Sequence, residues 1–221
     1  GLMSWRRPMD YGAHPAMTRF AVLIAARNEG MVIGPLVESL RQQQCPKELY
    51  DIWVIPNNCT DNTAQAARDA GARVLECTVP VTCKGEVLRF AYSRLCHRGY
   101  DAYCVFDADN VVHPEFLQGY RDSKNPYDSA ISGCCSIYYW MMDRFYNGGK
   151  AGLGLSAMIN GTGFMVADST LKKLGGWCTG TISEDMEMTA LCVLADVKVH
   201  WVPLAQTFDE QPLTLAQSNC Q

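Results

Sequence analysis

The sequence predicts a single mixed α/β domain over residues 1–221, with a mostly parallel central sheet flanked by helices. Three observations carry that expectation. Short apolar runs of strand length alternate with helical patterns through the first half of the chain. Those runs are apolar at consecutive positions, as strands covered on both faces require. A chain of 221 residues that is 48% hydrophobic and 19% charged is long enough for one substantial core, and disorder is excluded as its main state.

The first strand is expected at 20–25 (FAVLIA), followed by the loop Ala26-Arg27-Asn28-Glu29-Gly30. A helical pattern over 31–44 places Ile33, Leu36, Val37 and Leu40 on one face. Residues 51–55 (DIWVI) form a second strand running into PNNCTD, where Asp61 is placed to cap a helix over 62–70. A third short strand is expected at 72–75, a long helix at 84–97 and a fourth strand at 103–106 (YCVF), ending at Asp107-Ala108-Asp109. Strands separated by helices make βαβ units and a parallel sheet. Ligands of such sheets bind beyond the carboxyl ends of the strands. That rule selects the loops 26–30, 56–61 and 107–110, and the segment before Lys84.

The second half reads differently. Residues 120–129 are polar and turn-rich, and 131–146 (ISGCCSIYYWMMDRFY) is an aromatic run of core character. Residues 147–154 hold four glycines and read as a flexible loop, because the run lacks the strand-to-helix context of a phosphate loop. A strand is expected at 163–167, a short helix at 169–174, an amphipathic helix at 183–195 and a closing strand at 197–202 (VKVHWV).

Composition excludes several functions. With 19 Lys+Arg against 23 Asp+Glu, the net charge of −4 argues against a nucleic-acid partner. No apolar stretch reaches 18 residues, so no membrane span is expected, and the N-terminus lacks the apolar run of a secretory signal. The eleven cysteines are odd in number and contain no C-x-x-C, while the histidines stand apart at 14, 97, 113 and 200. Cys104 and Cys192 read as small buried hydrophobes. A zinc–thiolate site is not expected, and a reducing cytoplasm fits the thiols.

Four groups could carry chemistry. Asp107-Ala108-Asp109 after a buried strand can aim two carboxylates into one crevice, which suits Mg²⁺ or Mn²⁺ bound with a diphosphate. Alternatively, Asp109 or Asn110 caps a helix that His113-Pro114 begins. Ser183-Glu184-Asp185-Met186-Glu187 opens a helix; its carboxylates fit the helix dipole, and Thr181-x-x-Glu184 fits a capping box. One of them could instead be a general base beside the acidic crevice. The loop 26–30 precedes a helix whose first amides can face an anion, or is a solvated turn hinged at Gly30. Lys84 at a helix start, where the dipole disfavours a cation, is better explained by a phosphate partner.

Taken in order, the stretches AVLIAARNE, VIPNNCTDNTAQAARDAGARVLE, KGEVLRFAY, YCVFDADN, NGTGFMV and TISEDMEMT resemble the family 2 glycosyltransferases. They span residues 20–217, and the similarity is greatest to the membrane-associated branch of cellulose, chitin and hyaluronan synthases. The resemblance implies a GT-A (Rossmann-like) domain with a nucleotide-binding half at about 20–110 and an acceptor and catalytic half at about 111–217. It implies that Ala26, Arg27 and Glu29 lie along the base and ribose, and that Asn57 stands where the family usually has an Asp contacting uracil. Lys84 would lie near the donor phosphates, Asp107 and Ala108 at the nucleotide, and Asp109 at the metal. Gly161, Thr162, Gly163 and Glu184 would line the acceptor side, and Asp185 would be the catalytic base.

The reaction so implied is an inverting, divalent-metal-dependent transfer of a sugar from a nucleotide-diphosphate sugar, a UDP-sugar, to a glycan acceptor. The chain stops before the Gln-x-x-Arg-Trp motif of that branch, which Gln217 approaches. The resemblance therefore implies the catalytic core of a longer protein on the cytoplasmic face of a membrane, associated through segments missing here. Transfer to a lipid-phosphate carrier is a near alternative. A nucleotide-sugar-binding core without turnover and a nucleotidyltransferase are further ones; the last wants a basic Gly-rich loop that AARNEG does not supply.

Overall fold

A computed structural model describes residues 18–114, 116, 122–123, 142–202 and 207–209. Most of the turn-rich segment 120–129, the aromatic run before residue 142, and Gln217 lie outside the described residues.

The first half follows the expected order with trimmed ends: β1 (Phe20–Ala26), α1 (Ile33–Arg41), β2 (Tyr50–Pro56), α2 (Thr63–Asp69), β3 (Arg73–Val74), α3 (Lys84–Leu95) and β4 (Ala102–Phe106). Two-residue strands β5 (Val111–Val112) and β6 (Asp122–Ser123) come next. A π-helical turn, Met142–Asn147, runs into the helix α4 (Gly148–Gly152), followed by β7 (Phe164–Ala167), α5 (Asp168–Lys173), α6 (Glu184–Leu194) and β8 (Thr207–Asp209).

The main sheet has the order β3-β2-β1-β4-β7. β1 pairs in parallel with both β2 and β4, whereas β7 is antiparallel to β4. The chain therefore winds outward from β1 to β3, then returns to start again at β4 on the other side of β1. The carboxyl ends of β1 and β4 are neighbours at this reversal, with Ile24 beside Phe106. The crevice for ligands in an open α/β sheet forms at such a point.

The continuous apolar runs have a simple cause. Ala21, Leu23, Trp53, Ile55, Tyr103 and Val105 face one core with Leu88, Ala91 and Leu95 of α3 and Met188 of α6. Val22, Ile24, Ile52, Val54, Cys104 and Phe106 face the other, with Ile33, Leu36, Val37 and Leu40 of α1. Alternate residues point to opposite sides, and both sides are covered.

Two expectations for the second half are corrected. Residues 197–202 are not a strand: the Val199 carbonyl accepts from the Ala157 amide at 2.9 Å and the Val199 amide donates to Ser156 Oγ at 3.0 Å, but no ladder forms. Apolar alternation cannot make a strand without a neighbouring edge to pair with. The glycine run is helical rather than a flexible loop, and Gly148 is buried against Trp201, where an added Cβ would stand 3.0 Å from the indole. Sequence reasoning also missed the small sheet β5-β8-β6, whose strands are too short to leave a pattern. Among the described residues, no helix is long and apolar enough to cross a membrane.

Candidate active site

Two loops at the ends of β1 and β2 are stitched together. Asn28 sits at φ 60°, and its Oδ1 accepts from the Thr60 amide at 2.8 Å and the Thr60 hydroxyl at 3.3 Å. The Glu29 amide donates to Thr63 Oγ1 at 2.8 Å and the Gly30 amide to Asp61 Oδ2 at 3.0 Å. Asp61 also receives the Thr63 hydroxyl and, at 3.0 Å, the Thr63 amide, so it does serve the first turn of α2; the hydroxyl first, then the amides of Gly30 and Thr63, hold its carboxyl below the usual range. Gly30 is not a hinge: an added Cβ would lie 2.3 Å from Asn62 Oδ1. The backbone and side-chain amides of Asn57 both donate to the Ala26 carbonyl at 3.0 Å. That carbonyl can only accept, so the Asn57 amide is oriented with its own oxygen turned away. Arg27 is exposed beyond the end of β1.

Beside them lies the acidic loop. Ala108 and Asn110 are buried. The Asp107 amide donates to Thr162 Oγ1 at 3.0 Å, and the Thr162 hydroxyl donates in turn to Asn110 Oδ1. Asn110 Nδ2 donates to Asp109 Oδ1 at 3.2 Å. Asn110 is thus engaged by Thr162 and Asp109. Burial raises the Glu29 carboxyl above its ordinary value, and the charges of Asp109, Asp107 and Asp61 raise it further. The mouth of β1 and β4 therefore concentrates negative charge. Among the described residues, no group of three or more His, Cys, Asp or Glu side chains could hold a metal by itself. The donor set fits a hard divalent cation that takes one or two carboxylates here and completes its shell with water and phosphate oxygens.

The third part is the start of α6. The expected capping box at Thr181 and Glu184 is not formed. Glu187 is the capping carboxylate instead, accepting from the Gly180 amide at 2.9 Å, the Thr181 amide at 3.0 Å and the Thr181 hydroxyl at 2.9 Å. Arg89 of α3 anchors the preceding loop through the carbonyls of Trp177, Cys178 and Thr179. Those restraints set the start of the helix, which leaves Glu184 6% exposed and turned inward to Lys84. Asp185 is partly exposed, and its Oδ1 accepts from the Met186 amide at 2.8 Å. A Cβ built on Gly161 would lie 3.8 Å from Asp185 Oδ2.

Residues 161–163 join these parts. The Gly161 carbonyl accepts from Lys84 Nζ, Thr162 grips the acidic loop, and the Gly163 amide donates to the Val105 carbonyl at 2.8 Å. Lys84 Nζ stands 2.5 Å from Asp107 Oδ1 and 3.3 Å from Glu184 Oε1. Glu29, Lys84, Asp107, Asp109, the 161–163 loop, Glu184 and Asp185 thus belong to one continuous site. Asn28, Thr60, Thr63 and Asn110 organise it; Asn28, Thr60 and Asn110 lie in the loops that the strand-end rule selects, but the sequence does not show which partners they hold.

The sequence profile of Glycosyl transferase family 2 matches residues 21–162, and that of Glycosyl transferase family group 2 matches residues 104–221. The chain belongs to glycosyl transferase family 2. Among its curated relatives is the probable glycosyltransferase YdaM of Bacillus subtilis, 26% identical over 95% of this chain and 54% of the relative. Another is a beta-monoglucosyldiacylglycerol synthase of Nostoc, 25% identical over 76% of this chain and 40% of the relative. The chain spans about half the length of the curated relatives it matches. The GT-A fold is shared with the mannosyltransferase PcManGT of Pyrobaculum calidifontis, solved with GDP-Man and Mn²⁺, at TM-score 0.69 and 18% identity. That match covers 93% of this chain and 61% of the other. Residues 1–349 of TarS from S. aureus, solved with UDP-GlcNAc, match at TM-score 0.59 and 14% identity over 91% of this chain and 61% of that one.

Proposed function

We propose that this family 2 chain transfers a sugar from a UDP-sugar to an acceptor hydroxyl with inversion, using Asp185 as general base. The observation that carries the reading is the convergence of the acidic loop and Asp185 on one crevice, joined through Gly161. The loops 26–30 and 57–63 form the nucleotide side, where the outward oxygen of Asn57 can accept the imino N–H of uracil. Guanine offers a similar N–H, so the base is decided by experiment; PcManGT and TarS seat GDP-Man and UDP-GlcNAc on the same fold.

Asp107 and Asp109 face the diphosphate end of the donor, with Asp109 the residue that would hold Mg²⁺ or Mn²⁺. A bound divalent cation supplies charge neutralisation for the departing diphosphate. The acceptor oxygen attacks the anomeric carbon as Asp185 takes its proton, and the bond to the diphosphate oxygen breaks with its electron pair leaving on that oxygen. Gly161 carries no Cβ, which keeps room beside Asp185 for the acceptor. Glu184 is already paired with Lys84, so Asp185 is the carboxylate of α6 available at the crevice.

An apolar acceptor is a second reading, favoured by Ile182, 91% exposed, and Met186, 56% exposed, on either side of Asp185. The Nostoc relative is named for a diacylglycerol product. With such an acceptor the protein would work at the cytoplasmic face of a membrane. Thermal denaturation with UDP, GDP and Mn²⁺ tests the donor site. Stabilisation of about 2.7 kcal/mol is expected for UDP at a hundredfold excess over Kd. Asp109→Ala should lose the Mn²⁺-dependent part; an unchanged Mn²⁺ effect in that variant sinks the metal assignment.

A further inference from the structure

Lys84 ties three separate parts of the site together. Its Nζ lies 2.5 Å from Asp107 Oδ1 in the acidic loop, 2.5 Å from the Gly161 carbonyl, and 3.3 Å from Glu184 Oε1 at the start of α6. Two of its N–H groups donate, to Asp107 and to the Gly161 carbonyl, and Glu184 completes the set as an ion pair. The side chain is 21% exposed and Glu184 is 7% exposed, which makes the pair a largely dry one.

We infer that Lys84 is a positioning residue rather than a phosphate ligand: it locks the acidic loop, the 161–163 loop and the base-bearing helix into one register through Asp107, Gly161 and Glu184. Glu184 is its partner in that task. Because Asp185 follows Glu184 directly, the tie sets the distance between the base and the donor end of the crevice. The catalytic part of this inference rests on the glycosyl-transfer reading; the bridge itself does not. Phosphate recognition would then fall to other groups at the mouth of β1 and β4, where Asp109 would hold a divalent cation that neutralises the diphosphate.

The test uses Lys84→Met, Glu184→Gln and the double variant, in two measurements. The first is thermal denaturation without nucleotide. A bridge predicts that each single variant lowers Tm by roughly 5–10 °C, as expected when one partner of a buried pair is removed from a domain of this size. The double variant should lose clearly less than the sum. A lysine held ready for phosphate predicts an unchanged or raised Tm for Lys84→Met, and that result overturns the proposal whether or not any nucleotide binds. The second is UDP-glucose turnover with Mn²⁺, alongside UDP binding by calorimetry. Glu184→Gln should lower kcat about 10²-fold, the effect of a misplacement near 1 Å, with KM and UDP affinity within about twofold of wild type. Loss of UDP affinity in Lys84→Met, with kcat in Glu184→Gln unchanged, assigns the lysine to phosphate and overturns the positioning role. Failure of the wild-type protein to bind either UDP or GDP defeats the donor reading instead, and the Tm cycle still decides the bridge.

Discussion

At the scale of single residues, the site depends on groups whose partners are fixed by burial. Thr162 is an example: its buried hydroxyl receives the Asp107 amide and donates to Asn110, so one side chain sets the backbone of the acidic loop. Asp185 differs from its neighbour Glu184 by one position in α6 and by everything in its surroundings. Glu184 is turned into the protein against Lys84, while Asp185 is partly exposed beside Gly161. That contrast leads to a kinetic expectation. Asp185→Asn should keep UDP binding and lose roughly 10²–10⁴ in rate, the usual loss when a general base is removed. Full activity in Asp185→Asn with donor bound would transfer the base role elsewhere.

At the scale of elements, the start of α6 shows how a loop and a helix select one another. Arg89 holds three successive carbonyls of the 177–179 loop, and Glu187 holds the next two amides. The helix must begin after them, which places Glu184 inward. The amides of Gly180 and Thr181 and the Thr181 hydroxyl hold the Glu187 carboxyl below its ordinary value. A lowered folded-state value contributes stability that is complete above the ordinary glutamate range and lost as pH falls through the folded value. Glu187→Gln should therefore lie below wild type in Tm at neutral pH and converge with it in acid below that range. Parallel Tm curves against pH would show that the capping charge is not coupled to folding.

The same element explains why the sequence pointed to the wrong cap. Thr181 and Glu184 have capping-box spacing, and the pattern contains no term for a competing lysine a hundred residues earlier. Glu187 is only one turn further along, and its use depends on the loop being pinned by Arg89. The glycine run 147–154 failed in a similar way. Glycine lowers helix propensity, yet Gly148 is needed where the helix meets Trp201, and packing overrides propensity.

At the scale of the whole molecule, two cores sandwich one sheet, and the sheet order brings the ends of β1 and β4 together. Cys104 lies in the middle of that sheet, fully buried, and burial pushes its thiol up to about 12. Cys178 is exposed in the loop before α6. Among the eight described cysteines, all of them free thiols, native alkylation mapped by mass spectrometry should label Cys178 early and Cys104 only on global unfolding. Early labelling of Cys104 would mean that the central sheet opens far more readily than its packing implies.

The strands, their burial on both faces and the loops at their carboxyl ends follow from the residues themselves, because apolar periodicity is a local property and the parallel βαβ arrangement places ligands at strand ends. The six motif stretches and their order were enough to place the chain in its family. Tertiary structure decided the rest: which way Glu184 turns, that Asn57 is held by Ala26, that Gly30 is a point of close approach, and that 197–202 finds no strand to pair with. Each depends on a partner distant in sequence. Lys84, Asp107, Gly161 and Glu184 meet only because α3, β4, the 161–163 loop and α6 converge at the carboxyl end of β4. No local pattern encodes the two hydrogen bonds and the ion pair that gather round one ammonium.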